Sequence, residues 1–203
     1  MARSDRTEIG CVLLAGGLAT RMGGGDKGLK KVEGKPIIQR VLETLKKQVG
    51  PLVLNANGDG ERFKQYGFDV IEDSVKGFVG PLAGVLAGMD WLAENHGTCA
   101  WMLSAPTDTP FIPADLVKRL YDCQMETGAQ VVMAHSNGFD HPVVALWSVA
   151  LRDDLQTALI DEEMRKIKKW TSRYKVASVE WTCDERDPFF NVNSPEDLAS
   201  LIP

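Results

Sequence analysis

Cys11-Val12-Leu13-Leu14-Ala15 is an unbroken apolar run that ends abruptly in Gly16-Gly17. It is too short to be a stable helix, and it offers no polar residue for a solvated face. A strand of this kind is buried on both sides, as the central strands of parallel sheets are. A parallel neighbour can be reached only through a crossover, normally a helix, and the chain supplies crossovers in order. Pro36 to Gln48 reads as a helix with Ile37, Ile38, Val41, Leu42 and Leu45 on one stripe. Strands Leu52 to Asn55 and Asp69 to Glu72 follow, then a helix from Pro81 to Asn95 and a strand from Trp101 to Leu103. A helix from Pro113 to Thr127 comes next. Strands Val131 to Ala134 and Val143 to Trp147 flank a polar turn, Ser136 to Asp140. A helical region from Ala150 to Trp170, a strand from Val176 to Trp181 and a helix from Pro195 complete the pattern. The alternation predicts an α/β chain: three α/β/α layers around a mostly parallel, Rossmann-like sheet.

The 203 residues suit one domain, and 44% hydrophobic with 25% charged residues is ordinary globular usage. With 23 basic against 28 acidic residues the net charge is -5, which argues against a nucleic-acid backbone as main partner. No apolar stretch approaches the roughly 18 residues of a membrane helix. Asp5 and Glu8 interrupt the start, so no secretory signal is expected and the chain reads as cytoplasmic. Cys11, Cys99, Cys123 and Cys183 are far apart, with no CxxC, and read as reduced thiols rather than a zinc site.

In open parallel sheets the ligand lies outside the carboxyl ends of the strands. The first predicted strand is followed by a glycine-rich basic loop, the second ends in Asn55, and Asp73 and Asp108 follow the third and fourth. These four ends are expected to form one crevice. The loop, Gly16 to Gly28, combines exposed backbone N–H groups with Arg21 and Lys27, a composition suited to phosphate. It is not a P-loop, because Asp26 precedes Lys27 and Gly28 follows. Gly23, Gly25 and Gly28 match G-x-G-x-x-G by spacing. They begin well after the strand, however, and lead into polar residues, unlike a dinucleotide fingerprint.

The segment Leu14-Ala15-Gly16-Gly17-x-x-x-Arg21-Met22-Gly23-Gly24-x-Asp26-Lys27-Gly28 resembles the signature loop of the molybdenum cofactor guanylyltransferases, within the wider nucleotidyltransferases. Further family motifs follow in order: Gly34-Lys35-Pro36, Asn55-Ala56-Asn57, Glu72-Asp73 and Gly80 to Gly84, then Asp108-Thr109-Pro110, His141-Pro142-Val143 and Asn191 to Asp197. The resemblance implies a nucleotide-diphospho-sugar transferase-like fold in one domain, residues 1–203, with a nucleotide-binding N-terminal half and an acceptor-binding C-terminal half. It implies transfer of GMP from GTP to Mo-molybdopterin with release of pyrophosphate, and Mg²⁺ as cofactor. Transient contact with other cofactor-biosynthesis proteins and apo-molybdoenzymes is part of that expectation.

By the same resemblance, Leu14, Ala15 and Gly16 would lie against the nucleotide, Lys27 would contact its phosphates and Arg21 would stabilise developing charge. Asp108 would hold the metal, Asn55 and Asp73 would line the guanosine pocket, and Asn191 and Asn193 would face the acceptor. Gly16, where CTP-using relatives tend to carry Ala, favours GTP. Plainer readings stand beside these. Asp108, Asp73 and Asn55 are also turn formers, and Asn191 and Asn193 could only shape their loop. Ser194-Pro195-Glu196-Asp197 reads simply as a helix start, and Arg165 to Lys169 as a solvated face. His141 is expected in a loop near the acceptor, not as a general base, since a phosphate nucleophile is already ionised. Thr107 departs from the Cys or Gly usual in the family before the metal aspartate. A sugar-phosphate nucleotidyltransferase, a CTP-using relative and a non-catalytic adaptor are the competing readings.

Overall fold

The computed structural model describes residues 8–15, 26–75, 77, 80–183 and 186–200. The strands are β1 Ile9–Leu14, β4 Leu52–Asn55, β5 Val70–Ile71, β6 Trp101–Pro106, β7 Val131–Ser136, β8 Phe139–Ser148 and β9 Val176–Trp181. A small hairpin is made of β2 Lys31–Val32 and β3 Lys35–Pro36. The helices are α1 Ile37–Leu45, α2 Pro81–Asn95, α3 Leu116–Thr127, α4 Arg152–Ile160, α5 Ile167–Thr171 and α6 Pro195–Ser200.

The main sheet has seven strands in the order β5-β4-β1-β6-β8-β7-β9. Its pairings are parallel except at β8, which runs antiparallel to both β6 and β7. β1 therefore sits inside the sheet with parallel partners on both sides, as its apolar run predicts. Its side chains alternate between two cores. Cys11 and Leu13 join the cluster built with α1 and α3, and Val12 joins the cluster built with α2, α4 and α5. The expected mostly parallel α/β/α sandwich is what forms.

Several boundaries differ from the sequence reading, and three of them have a visible reason. The polar turn shrinks to Asn137-Gly138, both at positive φ (50° and 79°), the two-residue hairpin geometry this pair favours. The helical region from Ala150 to Trp170 is broken by non-helical residues 161–166, and Glu163 sits at φ 50°. α3 starts at Leu116, not Pro113. Its first-turn Val117 N–H donates to the buried side chain of Gln48, just past the end of α1 (3.1 Å), and the Gln48 amide donates to Pro113 O (3.0 Å). A side chain from another element thus caps this helix.

Helix α2 approaches the sheet unusually closely. A Cβ on Gly88 would lie 2.6 Å from Val12 Cβ, and one on Gly84 would lie 2.3 Å from Asn55 Oδ1 and 2.6 Å from Leu14 Cδ2. Small residues at these two positions let the first turns of α2 press onto the ends of β1 and β4. No helix among the described residues is long and apolar enough to cross a membrane.

Candidate active site

Leu14, Asn55 and Pro106 close their strands at one edge of the sheet, and a cleft of about 380 Å³ opens there, within the range of small-ligand sites. Leu14, Lys27, Asn55, Asp73, Gly84, Asp108 and Asn191 are among its walls. The predicted crevice therefore gathers residues from all four strand ends. β8 runs the other way, so its beginning rather than its end reaches this edge, and Val143 contributes from there.

Asp108 is the buried carboxylate of the cleft, 8% exposed. β6 delivers it just past Pro106, where the Thr107 N–H donates to Leu14 O (3.3 Å) and Asp108 O accepts from the Val192 N–H (3.0 Å). Burial pushes its carboxyl above the usual range, and the nearby Lys27 ammonium pulls it back. Lys27 Nζ is 3.5 Å from Asp108 Oδ2 and donates to Asn193 Oδ1 at 2.5 Å. Among the described residues, Asp108 Oδ1 is buried with no hydrogen-bond partner. A buried unpaired carboxylate oxygen costs stability unless something arrives to satisfy it. That orphan oxygen fits a hard cation such as Mg²⁺. Among the described residues no three His, Cys, Asp or Glu side chains cluster as a metal cage. A cation held here would take its remaining oxygens from its ligand and water, the usual situation of Mg²⁺ at phosphates.

Gly28 supports Lys27 from beneath: a Cβ there would lie 2.9 Å from the Thr107 side chain, so only glycine lets this turn rest against β6. Thr107, the departure from the family pattern, thus packs under the lysine turn. Its hydroxyl sits 3.5 Å from Leu14 O.

The opposite wall is an amide and carboxylate cluster. Asp73 Oδ1 accepts from the Asn55 side chain (3.0 Å) and Asp73 Oδ2 from the Asn57 side chain (2.8 Å). The Asn57 side-chain oxygen Oδ1 in turn accepts from the Asp73 backbone N–H (3.0 Å). Asp73 is therefore held in one orientation. Asn57 lines the cleft, a role that sequence reading missed although its motif was noted. Gly84 was likewise a motif residue with no assigned task, and it is what makes room for Asn55.

The remaining expected residues fall as follows. Leu14 lines the cleft, whereas Ala15 is buried beneath it, its N–H donating to Asn55 O (2.8 Å). Gly16 and Arg21 lie outside the described residues. Asn191 is a wall residue; Asn193 is joined to the cleft through Lys27. Ser194 is a helix cap as expected: its hydroxyl accepts from the Asp197 N–H (3.1 Å), and the Asp197 carboxylate accepts from the Ser194 N–H (2.9 Å). His141 corrects the loop expectation. It lies within β8, with Nε2 2.7 Å from the Ser136 hydroxyl, which also donates to Asp187 (2.7 Å). Burial lowers its pKa, which keeps the imidazole neutral.

Comparison with known proteins agrees with this arrangement. The MobA-like NTP transferase domain matches residues 11–176. A molybdenum cofactor guanylyltransferase of Rhodopseudomonas palustris is 50% identical over 199 residues, covering 98% of this chain and 95% of the relative. One from Mesorhizobium japonicum is 41% identical, covering 96% and 94%. The crystal structure of molybdopterin-guanine dinucleotide biosynthesis protein A from Archaeoglobus fulgidus superposes with a TM-score of 0.73 at 24% identity, covering 95% of this chain and 96% of that one. The 4-diphosphocytidyl-2C-methyl-D-erythritol synthase of Anaerococcus prevotii shares the fold, with a TM-score of 0.70 at 13% identity, covering 97% of this chain and 95% of that one. The family match over residues 11–176 and identities of 41–50% along nearly the whole chain, with a cleft at the strand ends that holds the lysine turn and a buried aspartate, place the chain in the MobA-like NTP transferase family, among the molybdenum cofactor guanylyltransferases.

Proposed function

We propose that this cleft transfers GMP from GTP to the terminal phosphate of Mo-molybdopterin, with Asp108 as the protein ligand of Mg²⁺. The observation that carries the metal assignment is that Asp108 lines the cleft beside Lys27 and has a buried oxygen with no partner among the described residues. In the reaction an acceptor phosphate oxygen forms a bond to the α-phosphorus of GTP. The bond from that phosphorus to the bridging oxygen breaks, and pyrophosphate leaves. No covalent enzyme intermediate and no general base are needed, so the protein's work is positioning and charge stabilisation. When bound, Mg²⁺ would neutralise triphosphate charge and order its oxygens.

Lys27 would leave its apo partners for the phosphates, as a flexible point charge can. Arg21 would add charge stabilisation at the leaving group. Asp73, oriented by Asn55 and Asn57, has the chemistry to accept from the guanine amino and imino groups. Leu14, Ala15 and Gly16 would form the floor under the nucleoside. Asn191 and Asn193 would border the acceptor, which gives a nucleotide half and an acceptor half within one domain of residues 1–203. The contacts to other biosynthetic proteins and apo-molybdoenzymes, and a cytoplasmic setting, belong to the same proposal.

The direct test is incubation with Mg²⁺, Mo-molybdopterin and each nucleoside triphosphate in turn. The dinucleotide form of the cofactor and pyrophosphate are expected with GTP alone, and turnover with CTP alone would reject the base assignment. A second expectation concerns the close approach of α2. Gly84→Ala should push Asn55 away and cost about 1–3 kcal/mol of stability, as overpacking does. It should also raise the KM for GTP more than that for the acceptor. Urea denaturation and steady-state kinetics check the two halves of this expectation.

A further inference from the structure

Asp26 stands immediately before Lys27, at the N-cap position of the 3₁₀ turn Lys27–Leu29. An aspartate there ordinarily turns its carboxylate onto the free N–H groups of its own helix. Here it makes no such cap. Its Oδ2 instead accepts from Arg62 Nε at 2.5 Å, across a gap of 36 residues in sequence. The pair is sheltered, with side-chain exposures of 12% for Asp26 and 27% for Arg62. Arg62 is itself fixed on every side. Its Nη2 donates to Asn57 O (3.1 Å), its Nη1 donates to Asp59 O, and the guanidinium lies 4.6 Å above the Phe63 ring. Asn57 is the residue whose side chain orients Asp73.

One guanidinium thus connects the residue beside the phosphate lysine to the residue that aims the nucleoside carboxylate. A local capping rule is broken where a long-range tie is made, the kind of inconsistency that marks functional sites. A planar fork with several fixed donors suits such a tie better than an ammonium.

We propose that Arg62 is a positioning residue for the nucleotide. Through Asp26 it sets where Lys27 meets the phosphates, and through Asn57 it sets where Asp73 meets the base. Arg62 need not touch the substrate. The inference rests on the functional reading above, and its test separates the two. Kinetics are measured for the wild type, Asp26→Asn, Arg62→Gln and the double variant, with GTP and Mo-molybdopterin varied separately. GTP binding without acceptor is read from the rise in Tm. Each single variant is expected to raise the KM for GTP about tenfold or more, the loss of one charge-assisted bond. kcat and the acceptor KM should stay within about threefold. The double variant should be no worse than the worse single variant, because both break the same tie. The rise in Tm produced by GTP should shrink in all three. Unchanged GTP KM in the single variants, multiplicative losses in the double variant, or equal increases in both KM values would overturn the proposal. A wild type that makes no product from GTP would instead overturn the functional reading.

Discussion

Asp108→Asn is expected to lower guanylyl transfer by about 10³-fold while the protein stays folded. The size follows from removing the anionic ligand of an ion that offsets charge in phosphoryl transfer. The intact fold follows from what Asp108 does without ligand. One of its carboxylate oxygens has no partner among the described residues, and burial already works against its charge. The neutral isostere relieves that burden, and the flexible Lys27 stem can carry its ammonium toward water. Its backbone link to Val192 does not involve the side chain and survives the change. A Tm within about 4 °C of wild type is expected, corresponding to no more than about 1 kcal/mol for a chain of this length. Calorimetry and a pyrophosphate-release assay check both claims. Turnover at the wild-type rate would remove Asp108 from the machinery.

Lys27→Met should behave differently in a way that separates the two residues. kcat/KM for GTP is expected to fall by about 10²- to 10³-fold, because a positive charge is lost where the triphosphate gathers negative charge. This variant should also lose stability, with a Tm lower by several degrees. It leaves Asp108 buried without its counter-charge, and an uncompensated buried charge is worse than an absent one. The double variant Lys27→Met with Asp108→Asn should then be more stable than Lys27→Met alone. Wild-type kinetics in Lys27→Met would exclude the lysine from the site, and additive stability losses would exclude the pairing.

The fold was legible where apolar runs are bounded by strong breakers. Leu52–Asn55, Pro81–Asn95 and Val176–Trp181 have in the structure the bounds their sequences suggest. It was less legible where polar side chains are satisfied from afar. β6 continues beyond Leu103 because the Ser104 hydroxyl donates to Val143 O (2.7 Å) and accepts from Trp147 Nε1 (2.8 Å), partners that no periodicity reveals. The start of α3 depends in the same way on Gln48. The strand-end rule assembled Asn55, Asp73 and Asp108 without any knowledge of contacts, and the resemblance added Leu14. It could not supply Asn57, Gly84 or Arg62. Their importance lies in hydrogen bonds and close approaches between segments distant in sequence, and a lone arginine in a polar stretch looks like any solvated cation.

The reversed strand β8 has a consequence for how such a scaffold can diversify. Its Val143 lines the cleft with Asp108, and the hairpin that leads into the strand turns through only Asn137-Gly138. Lengthening or rewriting that tip would alter the approach to Val143 while leaving β1, β4 and β5 and the Asn55–Asn57–Asp73 wall untouched. The architecture therefore offers a natural grafting point, through which new acceptors could be tried on an unaltered triphosphate chemistry.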